Sequence, residues 1–197
     1  MKSVIYVILV ASLCNMGPAY AGNPQEFEFR GHKIGEPIEK GFPYYKQENK
    51  YNGKPYCDKG SDNQYTCPDR TAIVKDNGVE SIKVGDIYIV ALNYEFFNNK
   101  LYGMHMVFGP HSYDRIKLML IGKYGPPTND INSVVVNNYG GSFDNNKTTW
   151  IFIDGVLELE KRVSVNSSLL RFIHPQAEVE AAKRQIEKDI KSGKSAF

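Results

Sequence analysis

Apolar and polar residues alternate along two neighbouring stretches in the middle of the chain. The first, Ile87 to Phe97, places five apolar side chains on one face, namely Tyr88, Val90, Leu92, Tyr94 and Phe96. The second follows Asn98-Asn99-Lys100 and repeats the pattern at Tyr102, Met104, Met106 and Phe108. A period of two residues is typical of half-buried strands, so the pattern predicts a β-hairpin.

The loop of this hairpin has two alternatives. A loop of three residues aligns the apolar faces through the pairs Phe96–Tyr102, Tyr94–Met104 and Leu92–Met106. A two-residue Asn-Asn turn instead requires a bulge, for which Gly103 is the natural place.

Helical spacing replaces the alternation between Ser112 and Tyr124. Apolar residues recur every three or four positions, at Tyr113, Ile116, Leu120 and Tyr124. Three more, Leu118, Met119 and Ile121, widen this face, so we expect the helix to be heavily covered and to lie across the sheet. Gly125 favours the left-handed conformation that ends a helix, and Pro126-Pro127 prevents its continuation.

The next segment combines a short strand with a polar run. Val134 to Val136 is predicted to be a strand, and the Asn- and Gly-rich residues 137–147 are predicted to form a long mobile loop. Asp154-Gly155 is then a type I′ hairpin signal between the segments Thr148–Ile153 and Val156–Lys161, whose apolar residues share one face. That turn pairs Phe152 with Leu157 and Trp150 with Leu159.

The two ends of the chain carry weaker patterns. Phe27 and Phe29 suit an edge strand, and a short helical turn is expected near Pro37. After a strand at Ser168–Ile173, a polar stretch to about Lys191 has a narrow apolar stripe at Val179, Ala182, Ile186 and Ile190. The pattern predicts an α+β fold, with an antiparallel sheet of about five to seven strands, one helix packed across it and a C-terminal amphipathic helix.

Residues 1–21 have the pattern of a secretory signal peptide. It consists of Lys2, the apolar run Val4–Leu13 and the tripeptide Ala19-Tyr20-Ala21. A run of about ten apolar residues is shorter than the roughly 20 that a membrane-spanning helix needs. Cys14 follows a leucine, whereas lipid attachment favours a small residue at that point. We therefore expect cleavage before Gly22, with a retained anchor and a lipoprotein as the alternatives.

Removal of the leader leaves residues 22–197 as a single predicted domain with two cysteines, Cys57 and Cys67. An even pair in an oxidising compartment predicts a disulfide, which would hold a loop region of about residues 41–70. In the chain-entropy model, closing so short a loop contributes roughly 3 kcal/mol. Zinc sites and redox pairs are the alternatives, but their usual spacings are absent from this sequence.

Composition and charge exclude several partners and chemistries. The formal net charge of +2, or +1 without Lys2, provides no strong field for nucleic acid or an anionic membrane. The sequence contains no Walker loop, dinucleotide fingerprint, G-x-S-x-G elbow or metal-ligand spacing. We therefore predict no cofactor, no metal and no nucleic-acid partner.

Aromatic residues crowd the irregular part of the chain. Tyrosine is enriched at recognition surfaces because it combines apolar area with a hydroxyl group and few rotatable bonds. The candidate partner-binding residues are Tyr44, Tyr45, Tyr51, Tyr56 and Tyr65, together with Tyr139 and Phe143 in the Asn-rich run. The alternative is that the rings of the first group cover the disulfide loop and pack it onto the sheet.

One histidine supports a different class of function. His105 alternates with apolar residues on a predicted strand, and as a general base it would be oriented by Glu95 or Asp114. The sequence alone identifies no nucleophile for it. A small exported hydrolase is therefore the alternative function.

The hairpin and helix carry a resemblance. The run Tyr94-Glu95-Phe96-Phe97-Asn98-Asn99-Lys100-Leu101-Tyr102, followed by Lys123-Tyr124-Gly125-Pro126-Pro127, resembles small uncharacterised exported proteins of Gram-negative bacteria. The resemblance implies a periplasmic setting and identifies no catalytic residue. With the other features it predicts a non-enzymatic periplasmic or secreted binding protein, such as an inhibitor, immunity or envelope accessory protein, whose partner is another envelope protein. A purely structural envelope component is a third possibility.

Overall fold

The fold is known from a computed structural model, which describes residues 25–47, 56–60, 63–76 and 78–175, and a few positions beyond these, 179–180, 182–183, 186–187 and 190. The predicted signal peptide and Tyr51 lie outside the described residues.

Strands dominate the described chain. The first half contains β1 (Glu28–Phe29), β2 (His32–Lys33), α1 (Ile38–Gly41), β3 (Asp58–Lys59), β4 (Gln64–Pro68), β5 (Ile73–Asp76), β6 (Val79–Val84) and β7 (Ile87–Ile89). The second half contains β8 (Ala91–Phe97), β9 (Lys100–Phe108), α2 (Tyr113–Tyr124), β10 (Asn129–Val136), β11 (Ser142–Phe152), β12 (Gly155–Ser164) and β13 (Ser167–Ile173). Short 3-10 turns, Arg70–Ala72 and Pro110–Ser112, precede β5 and α2. The α+β prediction is therefore wrong, because the molecule is mostly β.

All strand pairs among the described residues are antiparallel. Eight of the described strands form the main sheet, in the order β10-β11-β12-β13-β9-β8-β4-β3, and β5-β6-β7 and β1-β2 form two smaller sheets. The predicted number of five to seven strands is too low, because β3 and β4 lie in the tyrosine-rich region, where apolar and polar residues show no clear alternation. Strand β10 is almost entirely exposed and was recognised only at its apolar end.

In the part of the chain that the structure describes, the buried hydrophobic residues form one cluster, which lies against one face of the main sheet. Helix α2 covers it with Tyr113, Ile116, Leu120 and Tyr124, as the helical spacing predicts. Phe27 fills the centre, with its ring stacked 3.8 Å from that of Phe172. Leu118 and Met119 are exposed, so the expectation of a heavily covered helix is wrong for this pair.

The β8–β9 hairpin confirms the second alternative for its loop. Asn98 and Asn99 form a two-residue turn with φ of 50° and 62°, the left-handed region that asparagine tolerates better than most residues. Glu95 pairs with Gly103 and Phe96 with Leu101, which leaves Tyr102 as the bulged residue next to Gly103. The predicted pair Phe96–Tyr102 is wrong, whereas Tyr94–Met104 and Leu92–Met106 are both present.

The predicted strand Ile87–Phe97 is two strands in different sheets. The chain bends at Val90, and Ile87–Ile89 pairs with β6 in the small sheet. Tyr88 and Val90 are therefore exposed, because the alternation changes phase at the bend. A slip of one residue exchanges the two faces of a strand, and hydrophobic spacing alone does not reveal where it occurs.

Residues 142–147 belong to strand β11, so the predicted long loop is wrong. Asn145 and Asn146 are buried, and their amides find partners that a mobile loop would lack. Asn146 Nδ2 donates to Asp130 Oδ1 at 2.7 Å, and Asn145 Oδ1 accepts from Arg162 N at 2.8 Å. Only residues 137–141 form the turn between β10 and β11.

The hairpin at Asp154-Gly155 exists, but its turn lies one residue earlier than predicted, so each predicted strand partner is wrong by two positions. Phe152 pairs with Gly155 and Trp150 with Leu157, so the turn residues are Ile153 and Asp154, neither of which has positive φ. Both carboxylate oxygens of Asp154 accept the N–H of Phe27, at 3.0 and 3.1 Å. Gly155 is required for close packing, because an added Cβ would lie 2.5 Å from Phe172 Cζ and closer still to Ile173 O.

At the positions that the structure describes, the apolar stripe of the predicted C-terminal amphipathic helix does not pack on the sheet. Most of the predicted helix lies outside the described residues, and the described members of its apolar stripe, Val179, Ala182, Ile186 and Ile190, are all exposed. An apolar stripe that narrow buries too little area to dock the segment. Among the helices of the described chain, none is long and apolar enough to cross a membrane.

Substitution of Gly155 tests the packing role assigned to it. Gly155→Ala should lower the free energy of unfolding by about 2 kcal/mol, because the new methyl group has no room beside Phe172. Gly122→Ala is the control, since nothing lies within 4 Å of its added Cβ on α2, and it should stabilise by about 0.5 kcal/mol. Urea denaturation measures both, and a neutral Gly155→Ala would contradict the packing role.

Candidate functional site

A cleft of about 260 Å³ opens between the N-terminal segment and the end of β4. We call it the tyrosine cleft. It is lined by Phe42, Pro43, Tyr44, Tyr45, Tyr56, Cys57 and Pro68, with His32, Gly41, Asp69, Arg70 and Thr71 completing the walls. Its lining therefore combines aromatic rings with a few polar groups, which is the usual composition of a binding site.

The floor of the cleft is fixed by buried rings and by the disulfide. The Sγ atoms of Cys57 and Cys67 are 2.05 Å apart, which confirms the predicted pairing. Tyr45 is buried with its ring edge-on to Tyr65, 5.0 Å between centroids, and its hydroxyl donates to Glu39 Oε1 at 3.2 Å. These contacts make the floor rigid.

The rim is exposed and cationic. Tyr44 is 60% exposed, and its ring lies 6.3 Å from that of Tyr56. The guanidinium of Arg70 lies 4.3 Å from the centre of the Tyr56 ring, a cation–π contact that holds the charge over the opening. Lys46 Nζ lies 5.0 Å from the Tyr45 ring. Within the described chain, no carboxylate forms an ion pair with either cation.

One wall depends on the buried carboxylate of Asp69. Its Oδ1 accepts the N–H of Thr71 at 2.9 Å and the hydroxyl of Thr71 at 2.6 Å. Its Oδ2 accepts Arg30 Nε at 2.9 Å and the hydroxyl of Tyr94 at 3.4 Å. Burial raises the pKa of Tyr94 far above its ordinary value, and the nearby Asp69 charge raises it further, so this hydroxyl remains a donor.

His32 also lines the cleft. Its ring lies 4.7 Å from Tyr94 and 5.4 Å from Phe42, and its Nδ1–H donates to Glu36 Oε1 at 3.1 Å. Gly41 is required here, because an added Cβ would lie 2.5 Å from His32 Cε1. Burial of Glu36 acts to raise its pKa, but the hydrogen bonds from His32 and Lys40 outweigh it and hold the pKa below the usual range.

The structure divides the predicted partner-binding residues. Tyr44, Tyr45 and Tyr56 meet at the cleft, while Tyr65 is buried behind Tyr45. Tyr139 and Phe143 lie at the β10–β11 end of the sheet, five to six strands from β4 and so roughly 25–30 Å away. Both interpretations of the tyrosines are thus represented: some rings pack the disulfide region, and others line an opening.

His105 lies on the face of the main sheet opposite α2. Its Nδ1–H donates to Glu95 Oε1 at 2.9 Å, and Asn93 Nδ2 donates to its Nε2 at 3.0 Å. Asp114 is on α2, across the sheet, and is exposed. In the described chain no hydrogen bond joins His105 to a hydroxyl or thiol group.

A buried polar network beneath the first turn of α2 was not predicted from the sequence. Tyr113 donates its hydroxyl to Asn146, and Thr148 Oγ1 lies 2.8 Å from the same hydroxyl. Lys117 Nζ and Asp130 Oδ2 are 2.6 Å apart at its outer end. The available signal was polar alternation, since Asp130 and Asn132 share one face of β10, as Asn146 and Thr148 do on β11. Burial raises the pKa of Tyr113 to about 12, so it stays neutral.

Comparison with known proteins provides no relative. The chain matches no protein-family model, no curated protein and no solved structure. The resemblance to exported Gram-negative proteins therefore stays a prediction, and function has to be inferred from the site itself.

The ion pairs of Glu36 predict a dependence of stability on pH. Because the folded state lowers the pKa of Glu36, its charged form stabilises the fold above pH 4.5, and this contribution is lost as the pH falls through the folded pKa. Glu36→Gln should lower the free energy of unfolding by about 1 kcal/mol relative to wild type at pH 7. At pH 3 this difference in unfolding free energy should be smaller. Denaturation at both pH values tests this; a difference that stays constant would contradict it.

Proposed function

We propose that the protein is an exported, non-enzymatic binding protein, and that its partner is another protein of the cell envelope. The tyrosine cleft is the proposed contact, and it receives an apolar side chain of the partner that lies next to a carboxylate. The observation that carries the proposal is the combination of a rigid aromatic floor with an exposed Arg70 that has no carboxylate partner in the described chain. The disulfide supports the oxidising compartment.

The size of the cleft favours a protein partner over a small molecule. Small-molecule sites enclose about 300–1,000 Å³ and bury most of their ligand, whereas this cleft, with about 260 Å³, is near the lower end of that range and is open on one side. Such a volume suits one large side chain. Anchor residues of protein interfaces occupy pockets of this kind, surrounded by a polar rim that excludes water.

The positive charge of the rim indicates which partner residue should lie beside the side chain that enters the cleft. Arg70 gives the opening positive charge and is already oriented by its contact with Tyr56. A guanidinium held in place loses little entropy when it binds a carboxylate. The partner segment is therefore expected to carry Asp or Glu beside an aromatic or aliphatic residue.

Selection from a phage-displayed peptide library tests the proposal and does not require the partner to be identified first. The purified protein should enrich peptides in which an apolar residue adjoins Asp or Glu. Tyr44→Ala should weaken binding of these peptides by about 2 kcal/mol, roughly thirtyfold, because it removes an exposed ring of the rim. Arg70→Glu should select peptides without the acidic residue.

Tyr88→Ala is the matched control. Tyr88 is 54% exposed and carries its own cation–π contact with Lys83, but it lies on the small sheet away from the cleft. It should leave peptide binding unchanged. Equal losses in Tyr44→Ala and Tyr88→Ala, or peptides enriched equally by wild type and Tyr44→Ala, would contradict the proposal.

The contact between His105 and Glu95 favours the hydrolase as a second candidate. In this role Glu95 would orient the imidazole, but Nε2 already accepts from Asn93, which would have to move before His105 could take a proton. If this candidate is correct, His105→Ala should abolish hydrolysis of a model ester or peptide while leaving the melting temperature almost unchanged. Retention of any measured activity by the variant would exclude His105.

A further inference from the structure

Strand β10 forms one edge of the main sheet and leaves a long row of backbone groups without strand partners. At the end of its ladder with β11, Asn137 N–H donates to Gly141 O at 2.9 Å. Bonded positions alternate in an antiparallel pair, so the odd-numbered residues of β10 bond β11. The N–H and C=O groups of Asp130, Asn132, Val134 and Val136 consequently point away from the sheet.

The edge lacks the features that usually prevent strand pairing. Proteins protect exposed edges with proline, lysine, bulges or very short strands. Strand β10 has eight residues, an unbroken register with β11 and one charged side chain, Asp130, which is already paired with Lys117. Three of its apolar residues are strongly exposed, Ile131 at 60%, Val134 at 65% and Val136 at 60%. The opposite edge, β3, is only two residues long.

The strand is complementary to itself in the antiparallel direction. A twofold axis at Ser133 pairs Asn132 with Val134 of the second copy and Asp130 with Val136, which lets the outward backbone groups form about eight hydrogen bonds. On the other face Ile131 meets Val135. No like charges lie opposite each other in this register.

We propose that β10 pairs with β10 of a second copy of this chain, so that the two main sheets become one continuous antiparallel sheet. The pairing uses the same strand of both copies and therefore closes on itself. Since the β3 edge is too short to continue the sheet, the product is a dimer and not a filament. The tyrosine cleft lies at the far side of each main sheet and remains accessible in both copies.

Sedimentation velocity of the purified protein over a wide range of concentration tests the pairing. Wild type should show a reversible species of twice the monomer mass. Val134→Lys should weaken the dimer at least tenfold, because it places two lysines close together on one face of the joined strands. Val134→Pro should do the same by removing an outward N–H group.

Val79→Lys is the matched control, because Val79 is a strand valine of similar exposure, 68%, on the small sheet. It should dimerise like wild type, and circular dichroism should show that all three variants are folded. A wild-type protein that is monomeric at every concentration would overturn the proposal. So would equal weakening by Val134→Lys and Val79→Lys.

Discussion

The carboxylate of Asp69 joins three parts of the chain that are distant in sequence. It is buried at the end of β4, where it accepts a hydrogen bond from the N–H of Thr71. It also accepts hydrogen bonds from the guanidinium of Arg30, in the β1–β2 turn, and from the hydroxyl of Tyr94 on β8. A buried carboxylate is costly unless it is paired and hydrogen-bonded, and all of these donors reach it. The tyrosine cleft depends on this junction, because Asp69 and Thr71 form one of its walls.

The conformation of Arg30 shows how strongly this junction constrains the chain. Arg30 has φ of 52°, a left-handed backbone that costs an ordinary residue roughly 1 kcal/mol or more and that glycine or asparagine would adopt more easily. Its side chain reaches Asp69 Oδ2 and the hydroxyl of Thr71 from this position, at 2.9 and 3.1 Å. The hydrogen bonds offset the backbone strain, and they attach the N-terminal segment to the sheet beside the disulfide.

Sequence patterns of a few residues predicted the turns, helix ends and cross-links that depend on neighbouring residues. The Asn98-Asn99 turn, the end of α2 at Gly125 and the Cys57–Cys67 pair all follow from a few neighbouring residues. Long-range packing decided the rest. Gly155 resembles a turn glycine in sequence, but its role is to make room for Phe172. Asn146 resembles a loop residue, but it is buried because Tyr113 and Asp130 satisfy its amide.

The candidate site was predictable in part for the same reason. An excess of tyrosines in an irregular segment identified Tyr44, Tyr45 and Tyr56, although it could not separate rim from floor. Arg70 and His32 were not identified, since nothing near them in sequence indicates that Arg70 contacts the Tyr56 ring or that the buried Glu36 holds His32 at the cleft.

Amide hydrogen exchange tests most directly whether Asp69 holds the cleft together, by comparing wild type with Asp69→Ala and with Asp58→Ala, an exposed carboxylate on β3. We expect that Asp69→Ala accelerates exchange at Thr71 and through β1, β2 and α1, that β11 to β13 keep their protection, and that Asp58→Ala matches wild type. Unchanged exchange at Thr71 and in the N-terminal segment, or a uniform increase over the whole sheet, would contradict the role given to Asp69.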